Sequence, residues 1–204
     1  AAHTVGLSSN VTMMLGHVER PVHWARHLIR AREQQQRSGG FTEFVPLPFV
    51  PMEAPMYLKG HARRGPTFGE ALLIHAVGRL ALHPHITNIQ ASWVKVGPDG
   101  VRQLLAAGVN DLGGTLMNES ISRAAGSEWG QEMPPEQMER MIRSAGRNPR
   151  QRTTTYGSAP AEQVRRSFGA APPADPLNPP VKDAGLRAPG RLIRPGVLAG
   201  VGAK

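Results

Sequence analysis

The chain has 204 residues, carries a formal charge of +9 and contains no cysteine. The missing thiols exclude disulfides, thiolate zinc sites, thiol catalysis and cysteine-ligated iron–sulfur clusters within this chain. No apolar run approaches the roughly 18 residues needed to span a bilayer. The first residues, AAHTVGLSSN, lack the basic and apolar regions of a signal peptide. We therefore expect a soluble, cytoplasmic protein with no membrane partner.

The excess of basic residues raises the possibility of a polyanionic partner. Between Ser158 and Lys204 there are seven basic and three acidic residues, a net charge of +4. A second basic stretch, Arg147–Arg152 (RNPRQR), could bind phosphates. No aromatic residues are interleaved with these arginines, and no helix-turn-helix or zinc-finger pattern is present. Solvated surface charge is therefore the favoured interpretation, and nucleic-acid binding is the weaker one.

The first half of the chain alternates between short apolar runs and longer amphipathic segments. Thr12–Leu15 is an apolar run closed by Gly16, which predicts a buried strand. Val22–Gln36 places apolar residues near a 3.6-residue period and predicts a surface helix. A second strand is expected at Thr42–Leu47, and a second helix with a broad apolar face at Ala71–Leu82.

The second half continues the same alternation. Thr67 and Glu70 have capping-box spacing just before the second helix. Glycines and prolines mark the boundaries of the later elements. The remaining predictions are a strand at Asn88–Val94, a helix at Pro98–Ala107, a strand at Val109–Leu112, a helical segment around Asn118–Ala125 and a helix beginning at Pro134 or Pro135.

Strand followed by helix therefore recurs four times along residues 1–157. Short connections between alternating strands and helices imply an α/β domain with parallel strands and right-handed crossovers. Four such units make half a barrel or a small open sheet. From Ser158 to Lys204 the chain is rich in Pro, Gly, Ala and Arg and has little apolar periodicity, so we expect a disordered tail.

The segment after the second strand predicts a binding loop. Within Gly39–Gly60, prolines at 46, 48, 51 and 55 remove backbone donors and disfavour a central strand beyond Leu47. A stiff loop then leaves the carboxyl end of the strand, which is the end where α/β barrels and open sheets place their ligands.

Polar residues at the predicted strand ends are the candidate site residues. Each group has a structural alternative: a hydrogen bond within a turn for the first, pairing with a neighbouring strand or water for the second, and a tight β–α turn for the third. The groups are His17 and Glu19; Gln90, Ser92 and Trp93; and Asn110, Gly113, Gly114 and Thr115.

A metal site is the weaker interpretation of the histidine-rich segment near the N-terminus. His23 and His27 have i,i+4 spacing, and His17 with Glu19 could complete a ligand set. Pro21 interrupts the segment, and no HExxH pattern is present. A solvated helix face explains the spacing, and we predict no metal ligands in this chain.

Five blocks of sequence carry a resemblance to a known family. In this order and spacing they closely resemble FO synthase, specifically its tyrosine 4-hydroxyphenyl transferase subunit or module, which is a CofH-like radical S-adenosylmethionine (SAM) protein. The resemblance covers roughly Thr4 to Gly157. The blocks are TMMLGHVE at 12–19, GGFTEFVPLPF at 39–49, EAPMYLKG at 53–60, NIQASWVKVG at 88–97 and NDLGGTLMNESISRAAG at 110–126.

The resemblance implies a (βα)8 barrel of which this chain is the C-terminal half. It also implies transfer of the 4-hydroxybenzyl group of L-tyrosine to 5-amino-6-(D-ribitylamino)uracil, with a partner lyase subunit or module completing FO. The cofactors of such a protein are S-adenosylmethionine and a 4Fe–4S cluster held by a CxxxCxxC loop. Because this chain lacks cysteine, the resemblance implies an inactive fragment that supplies pocket walls.

The resemblance also assigns roles to the candidate residues by region. His17 and Glu19 would bind polar substrate groups, Gln90, Ser92 and Trp93 would line the pocket, and the group from Asn110 to Thr115 would hold a polar or carboxylate end. One departure is Pro51, which stands where the family usually has His. The alternatives are a related radical enzyme of menaquinone synthesis and a non-enzymatic basic protein that binds nucleic acid.

Overall fold

The computed structural model describes residues 1–116 and 119–172. Strands and helices alternate at first, and helices follow alone after α3. The elements are a 3-10 turn at His3–Val5, then β1 (Ser9–Leu15), α1 (Pro21–Ser38), β2 (Phe41–Pro48), α2 (Pro55–Leu58), α3 (Phe68–Leu82), α4 (Trp93–Ala106), α5 (Ile121–Ala124), α6 (Pro135–Ser144) and α7 (Ala161–Phe168).

A small parallel sheet lies at the centre of the fold. β1 pairs in parallel with β2, and isolated parallel bridges join Phe44 to Ile89 and Gln90 to Asp111. Neighbouring strand segments are therefore consecutive in sequence, as short right-handed crossovers predict. The mixed α/β class is confirmed, with helices and a small parallel sheet.

One face of the sheet is covered by helices. Phe44 is fully buried, and its ring lies so close to Gly78 of α3 that a Cβ there would approach it to 2.9 Å. In β1 the alternate residues Val11, Met13 and Leu15 are buried, while the residues between them are exposed. This period of two places the apolar core between the sheet and α1 and α3, and leaves the other face of β1 open.

The prolines of β2 do not end the strand at Leu47, because their nitrogens, which carry no hydrogen, lie on the side of the strand that faces away from β1. Phe44 exchanges both backbone hydrogen bonds with the Ile89 segment, through Asn88 O and Gln90 N. In a parallel sheet alternate residues bond to alternate neighbours, so Pro46 and Pro48 also face that side. The chain that follows Ile89 enters α4 at Trp93, so among the described residues no strand lies beside Pro46 and Pro48 to require a donor. β2 therefore extends to Pro48.

The third and fourth predicted strands are much shorter than expected. Of Asn88–Val94 only Ile89 and Gln90 form bridges, because Trp93 already begins α4. Of Val109–Leu112 only Asp111 forms a bridge. The apolar residues in both segments are buried against helices, and this burial explains the apolar runs that predicted longer strands.

The predicted helix boundaries agree well with the structure. The capping box of α3 is present: Glu70 N donates to Thr67 Oγ1, and Thr67 N donates to the Glu70 carboxylate at 2.7 Å. In α4 the backbone breaks at Gly97, with φ of 66°, before the regular helix that begins at Pro98. A left-handed conformation of this kind favours glycine.

Two later segments differ from expectation. The helix predicted around Asn118–Ala125 is a single turn at Ile121–Ala124, and Asn118 lies outside the described residues. α7, at Ala161–Phe168, lies inside the segment expected to be a disordered tail. Its Gln151–Ser167 hydrogen bond at 3.0 Å and its packing against α6 hold it to the domain. Residues 173–204 of the predicted tail lie outside the described residues.

Among the described helices, none has the length and apolar character that a bilayer crossing requires.

Candidate functional site

A cavity of about 330 Å³ opens at the carboxyl end of β2. This volume lies at the lower end of the range for small-molecule sites. The cavity lies beside the first turn of α3 and the first turn of α4. Its walls come from four segments, residues 48–52, 64–68, 95–96 and 126–129, with Ala71 of α3 completing them.

Lys95 is the half-buried cation of this cavity. Its Nζ donates a hydrogen bond to Ser122 Oγ at 2.6 Å. Burial lowers the pKa of Lys95, while the nearby charge of Glu119 acts in the opposite direction. An ammonium group has three donors, so two remain for a carbonyl or carboxylate oxygen of a ligand. Sequence reasoning missed Lys95, although a lone lysine inside the apolar block NIQASWVKVG was an available signal.

Aromatic rings and prolines form much of the cavity wall. The Trp129 indole lies against the backbone of Gly97, where a Cβ would approach Trp129 Cε2 to 2.5 Å. Phe49 and Phe68 line the cavity, and so does Pro51, the residue that departs from the family pattern. Flat rings facing a small space suit a planar ligand. The stiff loop predicted after β2 therefore forms a cavity wall.

Glu19 is tied into the protein. Its carboxylate accepts hydrogen bonds from the backbone N–H of Gly16 and His17 and from Trp24 Nε1 at 3.1 Å. Burial alone would raise its pKa, but the backbone N–H groups of residues 16, 17 and 19 and the Trp24 indole lower the pKa to about 2. Arg63 adds an ion pair at 3.5 Å. Glu19 thus joins the end of β1 to α1 and to the loop after β2.

His17 lies beside the cavity. Its ring packs edge-on against Phe49, with 6.0 Å between the ring centroids. Its Nδ1 accepts a hydrogen bond from Val18 N at 2.7 Å, so the neutral ring carries its proton on Nε2. The Arg63 N–H donates to the His17 carbonyl. His17 stays a candidate for ligand contact, through Nε2.

Of the candidates Gln90, Ser92 and Trp93, two contact the Gly-Gly turn at residues 113 and 114. Trp93 is buried, and its Nε1 donates to Gly114 O at 3.0 Å. Gln90 lies against Gly113, where a Cβ would approach Gln90 Oε1 to 2.9 Å. Ser92 precedes α4 without donating or accepting a side-chain cap bond. None of these residues lines the cavity.

The Gly113 amide of the Gly-Gly turn is not free to bind an anion. The Gly113 N–H donates to Asp111 Oδ1 at 2.9 Å, so it is already used. Gly113 has a φ of 74°, which explains the glycine by conformation. Thr115 is half-buried, and its carbonyl accepts from Met133 N. A tight turn accounts for this motif.

Asn110 lies at the amino end of its strand segment, whereas Gly113 follows the carboxyl end. Its Oδ1 accepts from Arg79 at 2.7 Å and from Ile89 N at 2.9 Å. These contacts lie where the chain enters the strand segments, whereas Gly113 and Ser92 lie where it leaves them. Asn110 therefore joins strand segments to α3.

A buried ionic cluster over Asp111 was missed entirely. Asp111 Oδ2 accepts from Arg152 Nε at 2.9 Å and from Arg152 Nη2 at 2.6 Å, and the Tyr156 hydroxyl donates to the same oxygen. The Arg152 guanidinium lies 4.0 Å from the centroid of the Tyr156 ring. Burial and the Asp111 hydrogen bond raise the pKa of Tyr156, so it stays neutral.

Contacts within the protein engage the arginines of the basic stretch at 147–152. Arg147 donates to Leu105 O at 3.3 Å, and Arg150 bonds to Ser158. With Arg152 bound to Asp111, three of the arginines that suggested phosphate binding are tied to the protein.

The histidines of α1 have local roles. His23 Nδ1 accepts from Arg20 N at 3.3 Å at the start of the helix. His27 is half-buried near the Phe44 ring, and this burial lowers its pKa. Within residues 1–116 and 119–172 no group of three His, Cys, Asp or Glu side chains could hold a metal ion.

Comparison with known proteins gives a family and several relatives. The family described as "CofH/MqnC C-terminal region" matches residues 38–164. An FO synthase of Streptomyces coelicolor is 51% identical over 164 residues, and one of Mycobacterium leprae is 53% identical over 155 residues. The 5-amino-6-(D-ribitylamino)uracil–L-tyrosine 4-hydroxyphenyl transferase of Methanopyrus kandleri is 51% identical over 155 residues.

The chain spans only part of these relatives. The aligned regions cover 80%, 76% and 76% of this chain, but 19%, 18% and 42% of the Streptomyces, Mycobacterium and Methanopyrus proteins. The matched region contains the whole cavity wall.

Proposed function

The chain belongs to the CofH/MqnC C-terminal region family, and on that premise we propose that it supplies substrate-pocket walls to a radical SAM transferase. The reaction would join the 4-hydroxybenzyl group of L-tyrosine to 5-amino-6-(D-ribitylamino)uracil in FO biosynthesis. The observation that carries the proposal is the 51% identity to the Methanopyrus transferase, together with a family match that encloses the cavity. A lyase subunit or module would be its partner in the pathway.

We further propose that the parallel strand segments are the C-terminal half of a (βα)8 barrel. Their consecutive order and parallel direction support this arrangement. The open face of β1 supports it as well, since Met14 is 52% exposed on the side opposite the helices. The other half of such a barrel would pair with the edge of β1 that has no partner among the described residues, and it would cover that face.

The chain's own residues do not fit the 4Fe–4S cluster of such an enzyme. A cluster of this type needs thiolate ligands, and the chain has no cysteine. The cluster, and the S-adenosylmethionine bound to it, would belong with another part of the protein. The residues here would bind and orient the substrates instead. Lys95 would donate to a substrate oxygen, and the rings of Phe49, Phe68 and Trp129 would enclose a planar group.

A chimera tests this function. The region of the Methanopyrus transferase that aligns with this chain is replaced by the chain, and the adduct of tyrosine and the aminouracil is measured by mass spectrometry after anaerobic cluster reconstitution. We expect adduct from the chimera and none from the chain alone. A chimera that holds its cluster and cleaves S-adenosylmethionine, yet forms no adduct, would contradict the proposal.

The cavity is tested in the same chimera. Lys95→Met removes the half-buried cation and should raise the KM for one substrate about tenfold or more, since hydrogen bonds to charged groups contribute about 1.5–3 kcal/mol. Lys59→Met is the matched control, because Lys59 is exposed and lies outside the cavity wall. Equal kinetics for the two variants would show that the cavity is not the substrate site.

The family description also names MqnC, so a menaquinone-pathway reaction is the second candidate. The substrates that the chimera converts distinguish the two candidate reactions. A chimera that turns over a menaquinone precursor but not tyrosine with the aminouracil would favour the second candidate.

A further inference from the structure

Glu43 lies on the face of the sheet that none of the described helices covers. The register of β1 and β2 is irregular between the Ser9–Phe41 and Val11–Phe44 pairs, so alternation alone does not orient Glu43. Phe44 points toward α1 and α3, and the interaction of Glu43 with the charges of Arg152 and Tyr156 places its side chain on the opposite face. The bridges from Phe44 to Ile89 and from Gln90 to Asp111 place Gln90 and Asp111 on that same face. Glu43 and Asp111 are thus two carboxylates on one surface of the sheet.

Glu43 is buried without adequate partners. Its side chain is buried, with 8% of the residue exposed, and Oε2 has no hydrogen-bond partner among the residues that the structure describes. A buried carboxylate is costly unless it is paired, because removing the charge from water loses its hydration. The domain therefore carries a destabilising group at a defined position.

The charges around Glu43 do not balance. Asp111 is bound by the guanidinium of Arg152 and by the hydroxyl of Tyr156. The charge of Glu43 also acts on Arg152 and Tyr156, so all four groups share one environment. With two carboxylates, one guanidinium and one neutral phenol, the cluster has a net charge of −1. A cation would complete it.

Glu43 Oε2 is shielded from solvent, so an amine would reach it only by displacing neighbouring side chains, and the exposed residues of this face lie on β1. Thr12 pairs with Val45, and both Thr12 and Met14 are exposed on this face. The exposed surface nearest to Glu43 is therefore on β1, whereas Val45 and Glu43 are buried, and Arg152 and Tyr156 interact electrostatically with Glu43. The 330 Å³ cavity lies elsewhere, since neither Glu43 nor Asp111 lines it.

We propose that Glu43 is the binding residue for a protonated amine, which pairs with its free carboxylate oxygen on the open face of the sheet. Resting on the proposed function, this amine is the α-ammonium group of the amino-acid substrate. Among the described residues, Arg152 and Tyr156 donate to Asp111 and leave Glu43 Oε2 without a donor.

The stability of the full chain is the first test. Glu43→Gln removes the buried charge and should raise the denaturation midpoint, whereas Glu33→Gln, at an exposed position of α1, should leave it unchanged. A lower midpoint for Glu43→Gln would overturn the proposal, because it would show that the carboxylate is already paired. The same comparison in a chain ending at residue 172 identifies the partner. If Glu43→Gln raises the midpoint only in the shortened chain, a basic residue of 173–204 occupies the site and the proposal is wrong.

Binding of tyramine to the full chain is the second test. Tyramine should raise the melting temperature of the wild-type chain and of Glu33→Gln but not of Glu43→Gln, and 3-(4-hydroxyphenyl)propionate, which lacks the amine, should have no such effect. The absence of tyramine stabilisation in the wild type, or equal stabilisation in Glu43→Gln, would overturn the proposal.

In the chimera, Glu43→Gln should raise the KM for tyrosine about tenfold or more with little change in the KM for the aminouracil. A larger effect on the aminouracil would contradict the assignment of the amine. If the wild-type chimera forms no adduct but tyramine still binds through Glu43, the proposed function fails while the amine site stands.

Discussion

Single residues at the strand ends divide into those that hold the fold and those that face a cavity. Glu19 was predicted as a substrate ligand, and the structure shows its carboxylate fully engaged with backbone N–H groups and Trp24. His17, beside it, keeps Nε2 for a ligand. Neighbouring side chains thus differ in role because both oxygens of Glu19 accept hydrogen bonds from the protein, whereas His17 is bonded through Nδ1 only.

Replacing Glu19 with Gln should lower the free energy of unfolding by about 1–3 kcal/mol, since charge-assisted hydrogen bonds at a largely buried site are lost. Because its folded pKa is about 2, against 4.5 when unperturbed, its stabilisation is present above pH 4.5 and is lost as the pH falls toward 2. Urea denaturation across this range measures the effect. A variant with the same pH dependence as wild type would contradict it.

His75 should make the domain less stable in mild acid. It is fully buried on α3, and burial lowers its pKa, although the carbonyls of Ala71 and Gln90 act in the opposite direction. The unfolded chain therefore takes up the proton first, and stability falls as the pH drops below 6.5. His75→Leu should reduce this slope in pH-dependent urea denaturation and leave the contribution of His27, whose pKa burial also lowers. An unchanged slope would show that His75 is not the responsible group.

At the scale of elements, local signals predicted helices better than strands. The Thr67 and Glu70 spacing, the glycine stops and the apolar period all act within one or two turns, and the structure confirms them. Strand length depends on a neighbour that the local sequence does not specify. Asn88–Val94 was expected to be a strand, but its bonding ends where Trp93 starts α4. Pro46 and Pro48 are tolerated in β2 because no described strand pairs with their side of it.

The capping box of α3 can be tested separately from the site. Thr67→Ala removes the acceptor for Glu70 N, which lies 3.2 Å from it, and should lower the free energy of unfolding by about 1 kcal/mol. Thr154→Ala is the control, at an exposed position outside the helices. Equal stability of the two variants in denaturant titrations would argue against a stabilising cap.

The break in α4 should be sensitive to a single methyl group. Gly97→Ala introduces a Cβ 2.5 Å from Trp129 at a φ of 66°, so it should destabilise the domain by more than 1 kcal/mol and shift the Trp fluorescence. Gly69→Ala places a Cβ in the first turn of α3 at an ordinary contact distance of 3.9 Å from Thr67 Oγ1, and it should be neutral or slightly stabilising. Equal unfolding midpoints for the two variants would contradict this account of the cavity wall.

At the scale of the whole molecule, the family and the α/β class could be predicted from the sequence, whereas the ionic cluster could not. The family resemblance came from short blocks of contiguous residues. Asp111 meets Arg152 and Tyr156 from 41 and 45 residues away, a distance over which periodicity and capping carry no information. Asn110 was grouped with Gly113 by sequence proximity, although they lie at opposite ends of a strand segment.

The central claim is that this chain supplies the substrate walls and that a separate part supplies the radical chemistry. The most direct measurement mixes the purified chain with the N-terminal portion of the Methanopyrus transferase that precedes the aligned region, with its cluster reconstituted, and quantifies the tyrosine–aminouracil adduct. The account predicts adduct in the mixture and none from either piece alone. Adduct from the N-terminal portion alone, or no adduct from a mixture in which the two pieces bind each other, would contradict it.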